Sequence, residues 1–270
     1  MSCEVVVTRG GARAMLDRAT GEVMHPVVGP ALESMRLYCE PARLVERLAR
    51  PHHEPLVLFD VGLGAGSNAG AAWRLAAGLP AAARRLEIVS FDRDLAAFAL
   101  AAEPGHAADF GLDGEAGLAA RDLLATGYHS SARGSWRIVH AQLPEALIRE
   151  PAAAADVVFW DPFSPRANPE LWCLAAFTAL RRCCRAGATV HTYSGATATR
   201  SALLLAGFAV GVGEPTGEHK AATCAAVDVA DVQRPLDRRW LARLARSSAA
   251  FPADAPPDAL ARVAALPQFA

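Results

Sequence analysis

Three aspartates share a setting in this sequence: Asp60, Asp92 and Asp161 each close an apolar, β-rich run, in "PLVLFD", "LEIVSFD" and "DVVFWD". A carboxylate at a strand end projects into the crevice where open α/β sheets bind ligands. Asp60 leads directly into "VGLGAGSN", which places Gly62, Gly64 and Gly66 at a strand-to-helix turn with Asn68 just behind. Glycines there free the backbone for conformations that a Cβ would obstruct, and they let a ligand approach closely. A dinucleotide fingerprint would want glycine where Ser67 stands, and the charge of Asp60 would repel a pyrophosphate. A cationic ligand, such as a sulfonium bearing an amino-acid ammonium group, suits this loop better. Asp92 is then expected to accept from both ribose hydroxyls of a nucleoside, and the Gln142 carbonyl in "VHAQLPEAL" from an adenine amino group. The competing reading makes Asp60 and Asp92 simple helix caps.

The third aspartate opens "DPFSPRANPELW". Its prolines fix the backbone at low entropic cost, and Phe163 offers a π-face to a cation. Such a loop suits attack by an amine on a cationic centre. A fixed carboxylate orients the amine and stabilises the ammonium that forms, and it is a candidate general base as well.

The elements that must hold these groups alternate. "PLVLFDV", "LEIVSFD", "WRIVHA", "DVVFW" and "ATVHTYS" read as strands separated by crossover helices, hence as five parallel strands. "GFAVGVG" and "AATCAAVDV" have only "EPTGEHK" between them and are expected to form an antiparallel hairpin. This pattern resembles the class I S-adenosylmethionine-dependent methyltransferases, an α/β fold with a Rossmann-like seven-stranded sheet whose last strand is antiparallel. The expected division is a small N-terminal capping module over residues 1–50, a methyltransferase domain over 51–232 and a helical tail over 233–270. The tail's Arg234, Arg238, Arg239, Arg243 and Arg246 read as a solvated helix face in preference to an RNA contact.

With 270 residues, 52% hydrophobic and 20% charged, the chain has the composition of a globular protein built around one main domain. A formal net charge of −1 excludes a global basic field, so an RNA partner must be held by a local site. The six cysteines (Cys3, Cys39, Cys173, Cys183, Cys184 and Cys224) contain no C-x-x-C pair. They read as reduced thiols of a cytoplasmic protein that binds no metal. No apolar run approaches the roughly 20 residues of a membrane span, so no membrane partner is expected.

"DPFSPRANPELW" resembles the D-x-F-x-P-x-x-N-P-x-x-W signature of the MnmC-type tRNA methyltransferases, and the glycine loop and the upstream "GEVMHPVVGPALESMRLY" are similar to that family too. The resemblance extends from about Gly21 to Val229. It implies methylation of the 5-aminomethyl group of wobble (2-thio)uridine in tRNA, with S-adenosylmethionine as donor. It makes Asp161 the catalytic carboxylate and gives Asp60, Gly62, Gly64, Gly66, Asn68, Asp92 and Gln142 to the cofactor. Phe163, Asn168, Trp172, Tyr193, Lys220, His25 and Glu33 fall on the substrate side. Trp172 reads as a packing residue before a substrate contact and His25 as a structural histidine before a functional one; Tyr193 has a packing alternative at its strand end, and Lys220 reads equally as a phosphate contact or a hairpin cap. Ala221 stands where the family carries arginine, removing one candidate phosphate contact. The chain has neither the length nor a second fingerprint for the flavin oxidase fused to some members, which implies a stand-alone enzyme. The rival readings are a methyltransferase acting on another small amine or a protein, and a spermidine-synthase-like aminopropyltransferase. The latter usually has an acidic residue inside its glycine loop, which "GLGAGSN" lacks.

Overall fold

The computed structural model describes residues 2–25, 29–215 and 221–270. At its start β1 (Cys3–Val7), β2 (Arg13–Asp17) and β3 (Glu22–Met24) form a small antiparallel sheet in that order. The main sheet comprises β4 (Leu56–Val61), β5 (Leu86–Asp92), β6 (Tyr128–Ser131), β7 (Gly134–His140), β8 (Ala155–Trp160), β9 (Cys184–Thr192), β10 (Ala209–Val212) and β11 (Thr223–Ala226). Its order is β10-β11-β9-β8-β4-β5-β7-β6.

From β4 the chain winds outward through β5 and β7, then returns to lay β8 on the other side of β4. The winding direction therefore reverses between β4 and β8, and the crevice beyond their carboxyl ends is where such sheets bind ligands. Every residue of both strands is buried, as expected of central parallel strands covered by helices on each face. β11 runs antiparallel to β9 and β10, the expected closing hairpin.

The sequence pointed to seven strands; the sheet has an eighth, β6, paired antiparallel with β7. Its residues, "YHSS", carry no apolar alternation because the strand lies at the edge with Tyr128 half exposed. Pairing through a tight turn at Ala132-Arg133 forms it instead.

Alternation along β8 divides the core. Val157 and Phe159 enter a cluster containing Trp73, Phe98 and Trp136, whereas Val158 and Trp160 enter one containing Phe177, Trp172 and Trp240. The first cluster also takes in Met15, Leu37, Tyr38, Leu44 and Leu48, so the N-terminal segment shares the main core. In the second, Trp240 stacks on Phe269 and lies with Leu244 and Val263, which ties the C-terminal helices (Arg238–Leu244 and Ala259–Ala264) to the sheet. The Gln268 side chain goes further: its Oε1 accepts from the Val210 N–H at 2.9 Å and its Nε2 donates to the Val210 carbonyl at 2.6 Å, along the outer edge of β10.

Candidate active site

β8 ends at Trp160, and Asp161 follows with its N–H donating to the Val61 carbonyl of β4 at 2.8 Å. Its side chain is fastened at both oxygens. The Tyr38 hydroxyl donates to Oδ1, and Asn68 Nδ2 donates to Oδ2 at 2.6 Å. Ser34 Oγ donates to Asn68 Oδ1 at 2.7 Å, which fixes the amide's orientation. Ser34 and Tyr38 are four residues apart on a π-helical stretch (Ser34–Cys39) that continues the helix Pro30–Glu33, so both reach the same point. A π-helical turn is common at functional sites. Burial pushes the Tyr38 hydroxyl well above its usual range, and the adjacent Asp161 adds to this, so it remains a donor.

His25 completes the cluster. Its Nδ1 lies 3.3 Å from Glu33 Oε2, and its Nε2 lies 3.8 Å from Asp161 Oδ2. Burial raises the Asp161 carboxyl above its usual range, while His25, Tyr38 and Asn68 pull the other way.

These groups open into a cavity of about 810 Å³ lined by both the glycine loop and the loop that follows Asp161. Gly62, with φ of 88°, packs against the latter: a Cβ there would stand 2.7 Å from the Asp161 carbonyl oxygen. The Gly64 N–H donates to Asp92 Oδ2 at 2.9 Å, tying the glycine loop to the end of β5. Asp92 Oδ1 accepts from the Asp94 N–H at 3.1 Å. Trp172 Nε1 donates to the Phe163 carbonyl at 2.7 Å, the Tyr193 hydroxyl to the Pro162 carbonyl at 3.0 Å, and their rings meet edge to face. The Asp161 loop is thus braced from beneath.

Of the residues singled out in the sequence, Asp161, Gly62, Gly64, Asp92, Gln142, Phe163, Asn168, Tyr193, His25 and Glu33 all line this cavity. Gly66 and Trp172 lie behind it as supports. Asn68 belongs to the Asp161 frame. Lys220 lies outside the described residues.

Asp60 corrects the expectation of a direct ligand contact. It sits beneath the loop, 1% exposed and away from the cavity wall, with Ser90 Oγ donating to Oδ2 at 2.7 Å and no hydrogen-bond partner at Oδ1 among the described residues. Burial pushes its carboxyl up to about 8. The folded chain therefore binds this proton more tightly than the unfolded chain, whose aspartate titrates near 3.9. Its ionisation costs stability progressively as pH rises from about 4 to about 8, by an upper limit on the order of 5 kcal/mol. Asp60→Asn is accordingly expected to raise Tm relative to wild type more at pH 9 than at pH 5. Equal differences at both pH values would mean that Asp60 is already ionised at pH 5.

Sequence reasoning missed Tyr38, Ser34 and Glu22. Glu22 on β3 accepts from the Ser164 N–H at 2.9 Å and from the Ser164 hydroxyl, clamping the N-terminal sheet onto the Asp161 loop. Arg93 and Glu170, 3.8 Å apart, pair across the cavity rim.

Comparisons with known proteins agree with this geometry. A family described as S-adenosyl-L-methionine-dependent methyltransferase matches residues 132–228. The chain is 32% identical over 200 residues, 72% of its own length and 31% of the relative's, to the tRNA 5-methylaminomethyl-2-thiouridine biosynthesis bifunctional protein MnmC of Pseudomonas aeruginosa. It is 33% identical over 168 residues, 57% of its length and 25% of the relative's, to the protein of that name from Paracidovorax citrulli. The chain thus spans about a third or less of the length of these curated relatives. Among solved structures, MnmC2 from Aquifex aeolicus superposes with a TM-score of 0.73 at 24% identity, covering 98% of this chain and 86% of that one, a likeness of fold.

The chain is an S-adenosylmethionine-dependent methyltransferase, and S-adenosylmethionine is its cofactor. Within that class it is similar to MnmC over 72% of its length. The residues present fit the cofactor: a side-chain-free turn at Gly62 and Gly64 faces a cavity of sufficient volume, and carboxylates stand at its rim and at its reacting end.

Proposed function

We propose that this enzyme methylates the 5-aminomethyl group of wobble (2-thio)uridine in tRNA, giving 5-methylaminomethyl(-2-thio)uridine. The observation that carries the reading is Asp161, held by two donors at the end of β8 and facing the cavity beside the glycine loop. When bound, the cofactor supplies a methyl group on positively charged sulfur. Asp161 orients the incoming amine and stabilises the positive charge that grows on its nitrogen, and because Tyr38 and Asn68 pre-set the carboxylate, little reorganisation is needed. Asp92 and the Gly64 backbone hold the nucleoside end, Gln142 borders it, and Phe163 presents an aromatic wall. The names of the relatives supply the acceptor.

Residues 1–50 act as the cap, 51–232 as the catalytic body and 233–270 as a packed tail of a cytoplasmic enzyme. Among the described residues no helix is long and apolar enough to cross a membrane.

The experiment is transfer of a radiolabelled methyl group from S-adenosylmethionine to tRNA bearing unmethylated 5-aminomethyluridine, with nucleoside analysis of the product. Label in 5-methylaminomethyluridine supports the proposal. No transfer to tRNA, with cofactor binding intact, overturns it in favour of a small-amine or protein acceptor. Spermidine synthase from Thermotoga maritima shares the fold at a TM-score of 0.54 and 14% identity, covering 86% of this chain and 72% of that one. That likeness extends to fold alone.

A further inference from the structure

N-methylation leaves a proton to be disposed of. A primary aliphatic amine arrives from neutral water mainly as its ammonium ion, which has no lone pair for attack. The methylated product is again an ammonium ion, so each turnover releases one proton. Burial raises the Asp161 carboxyl, but both its oxygens already accept hydrogen bonds from Tyr38 and Asn68, and a proton placed on it would remove the negative charge needed beside the developing ammonium. A second base stands beside it.

We propose that His25 is the catalytic base that takes the acceptor amine's proton, with Glu33 as a positioning residue that accepts the Nδ1–H and leaves the Nε2 lone pair facing the amine next to Asp161. The inference rests on the N-methyltransferase reading above. The step balances: an N–H bond breaks with its proton passing to Nε2, a C–N bond forms from the freed lone pair, and the C–S electron pair stays on sulfur.

Three features of the structure carry it. His25, Glu33 and Asp161 line one cavity, and the imidazole bridges the two carboxylates at 3.3 Å and 3.8 Å, the arrangement of a base and its orienting partner. The His25 backbone has φ of 54°, a left-handed conformation that costs a non-glycine residue about 1 kcal/mol or more. Such a cost persists where the fold over-determines a functional orientation. Among the described residues the charged groups that strengthen the ring as a base are Glu33 from the helix Pro30–Glu33 and Asp161 beyond β8, while Asp60 on β4, kept protonated by its burial, adds no charge at neutral pH. Burial alone would lower the imidazole pKa, but the hydrogen bond to Glu33 and the charge of Asp161 outweigh it and leave it raised.

The test compares His25→Gln and Glu33→Gln with wild type in methyl transfer to tRNA between pH 6 and pH 10, with calorimetric cofactor binding as the control for folding. Without the base, only amine that arrives already neutral reacts, and that fraction falls about tenfold per pH unit below the amine pKa. His25→Gln is therefore expected to be slower by about thirtyfold or more at pH 7, with the deficit closing by up to tenfold per unit and nearly absent at pH 10. Glu33→Gln should show a smaller deficit with the same trend. A deficit constant across pH overturns the proposal.

An independent readout needs no acceptor. In ¹⁵N spectra of the intact protein, the neutral His25 imidazole should carry its proton on Nδ1 and titrate at Nε2. A neutral ring protonated at Nε2 overturns the proposal, and does so even if wild type fails to methylate tRNA and the functional reading falls separately.

Discussion

Asp161→Ala is expected to lower kcat for methyl transfer by about a thousandfold while leaving the cofactor Kd within about tenfold. The asymmetry follows from where the side chain works. Its oxygens are fastened to Tyr38 and Asn68, and the charge it stabilises on the attacking nitrogen is absent from the neutral amine and grows only as the C–N bond forms. Nothing about the cofactor's nucleoside end depends on it. Asp92→Ala is the converse case. It removes both a rim carboxylate and the acceptor that tethers the Gly64 N–H, so it should weaken cofactor binding first, by tenfold or more. Calorimetry for Kd and single-turnover transfer for the chemical step separate the two. If Asp161→Ala retained turnover within tenfold of wild type, the carboxylate would have no part in the reaction as described.

Gly62→Ala is expected to cost about 3 kcal/mol or more in unfolding free energy by denaturant titration. The left-handed backbone alone disfavours alanine by roughly 1–2 kcal/mol. The new methyl would then stand 2.7 Å from the Asp161 carbonyl oxygen and 2.8 Å from both the carbonyl carbon and the Pro162 nitrogen. All three are backbone atoms and have no rotamer in which to retreat. Displacing them moves the segment that delivers Asp161, so activity should fall along with stability. Among the described residues the equivalent Cβ at Gly64 meets only the Met24 side chain, at 3.1 Å, and an alanine there should cost less. A loss below 1 kcal/mol for Gly62→Ala would mean that the two loops are not in fixed contact.

The main sheet was legible because its strands are buried on both faces and therefore read as continuous apolar runs; β5 matches its expected limits, Leu86–Asp92. β6 was not, since an edge strand forms through its neighbour and needs no hydrophobic signal of its own. In the site, Asp161 and Asp92 stood out because a charged residue closing an apolar run is conspicuous. Asp60 stood out for the same reason, yet the sequence carries no measure of depth, and two residues back along the strand separate a cavity wall from the sheet interior. Tyr38 was invisible for a different reason. Within "ESMRLYCE" a tyrosine at helical spacing reads as core, and only the fold brings its hydroxyl to a carboxylate 123 residues away. The one local hint was Ser34, four residues earlier on the same helical face.

The amide of Gln268 has a consequence for how these molecules coexist in solution. By offering one acceptor and one donor to Val210, it imitates the peptide group of a neighbouring strand and extends the cover that residues 234–236 give the outer edge of β10, where the Val212 N–H donates to the Arg234 carbonyl and the Leu236 N–H to the Val210 carbonyl, both at 2.9 Å. At the opposite margin β6 is only four residues long. Short or occupied margins deny an extended segment of another chain a template on which to pair. Both margins of this wide apolar sheet are therefore poor templates for edge-to-edge pairing with another copy of the chain.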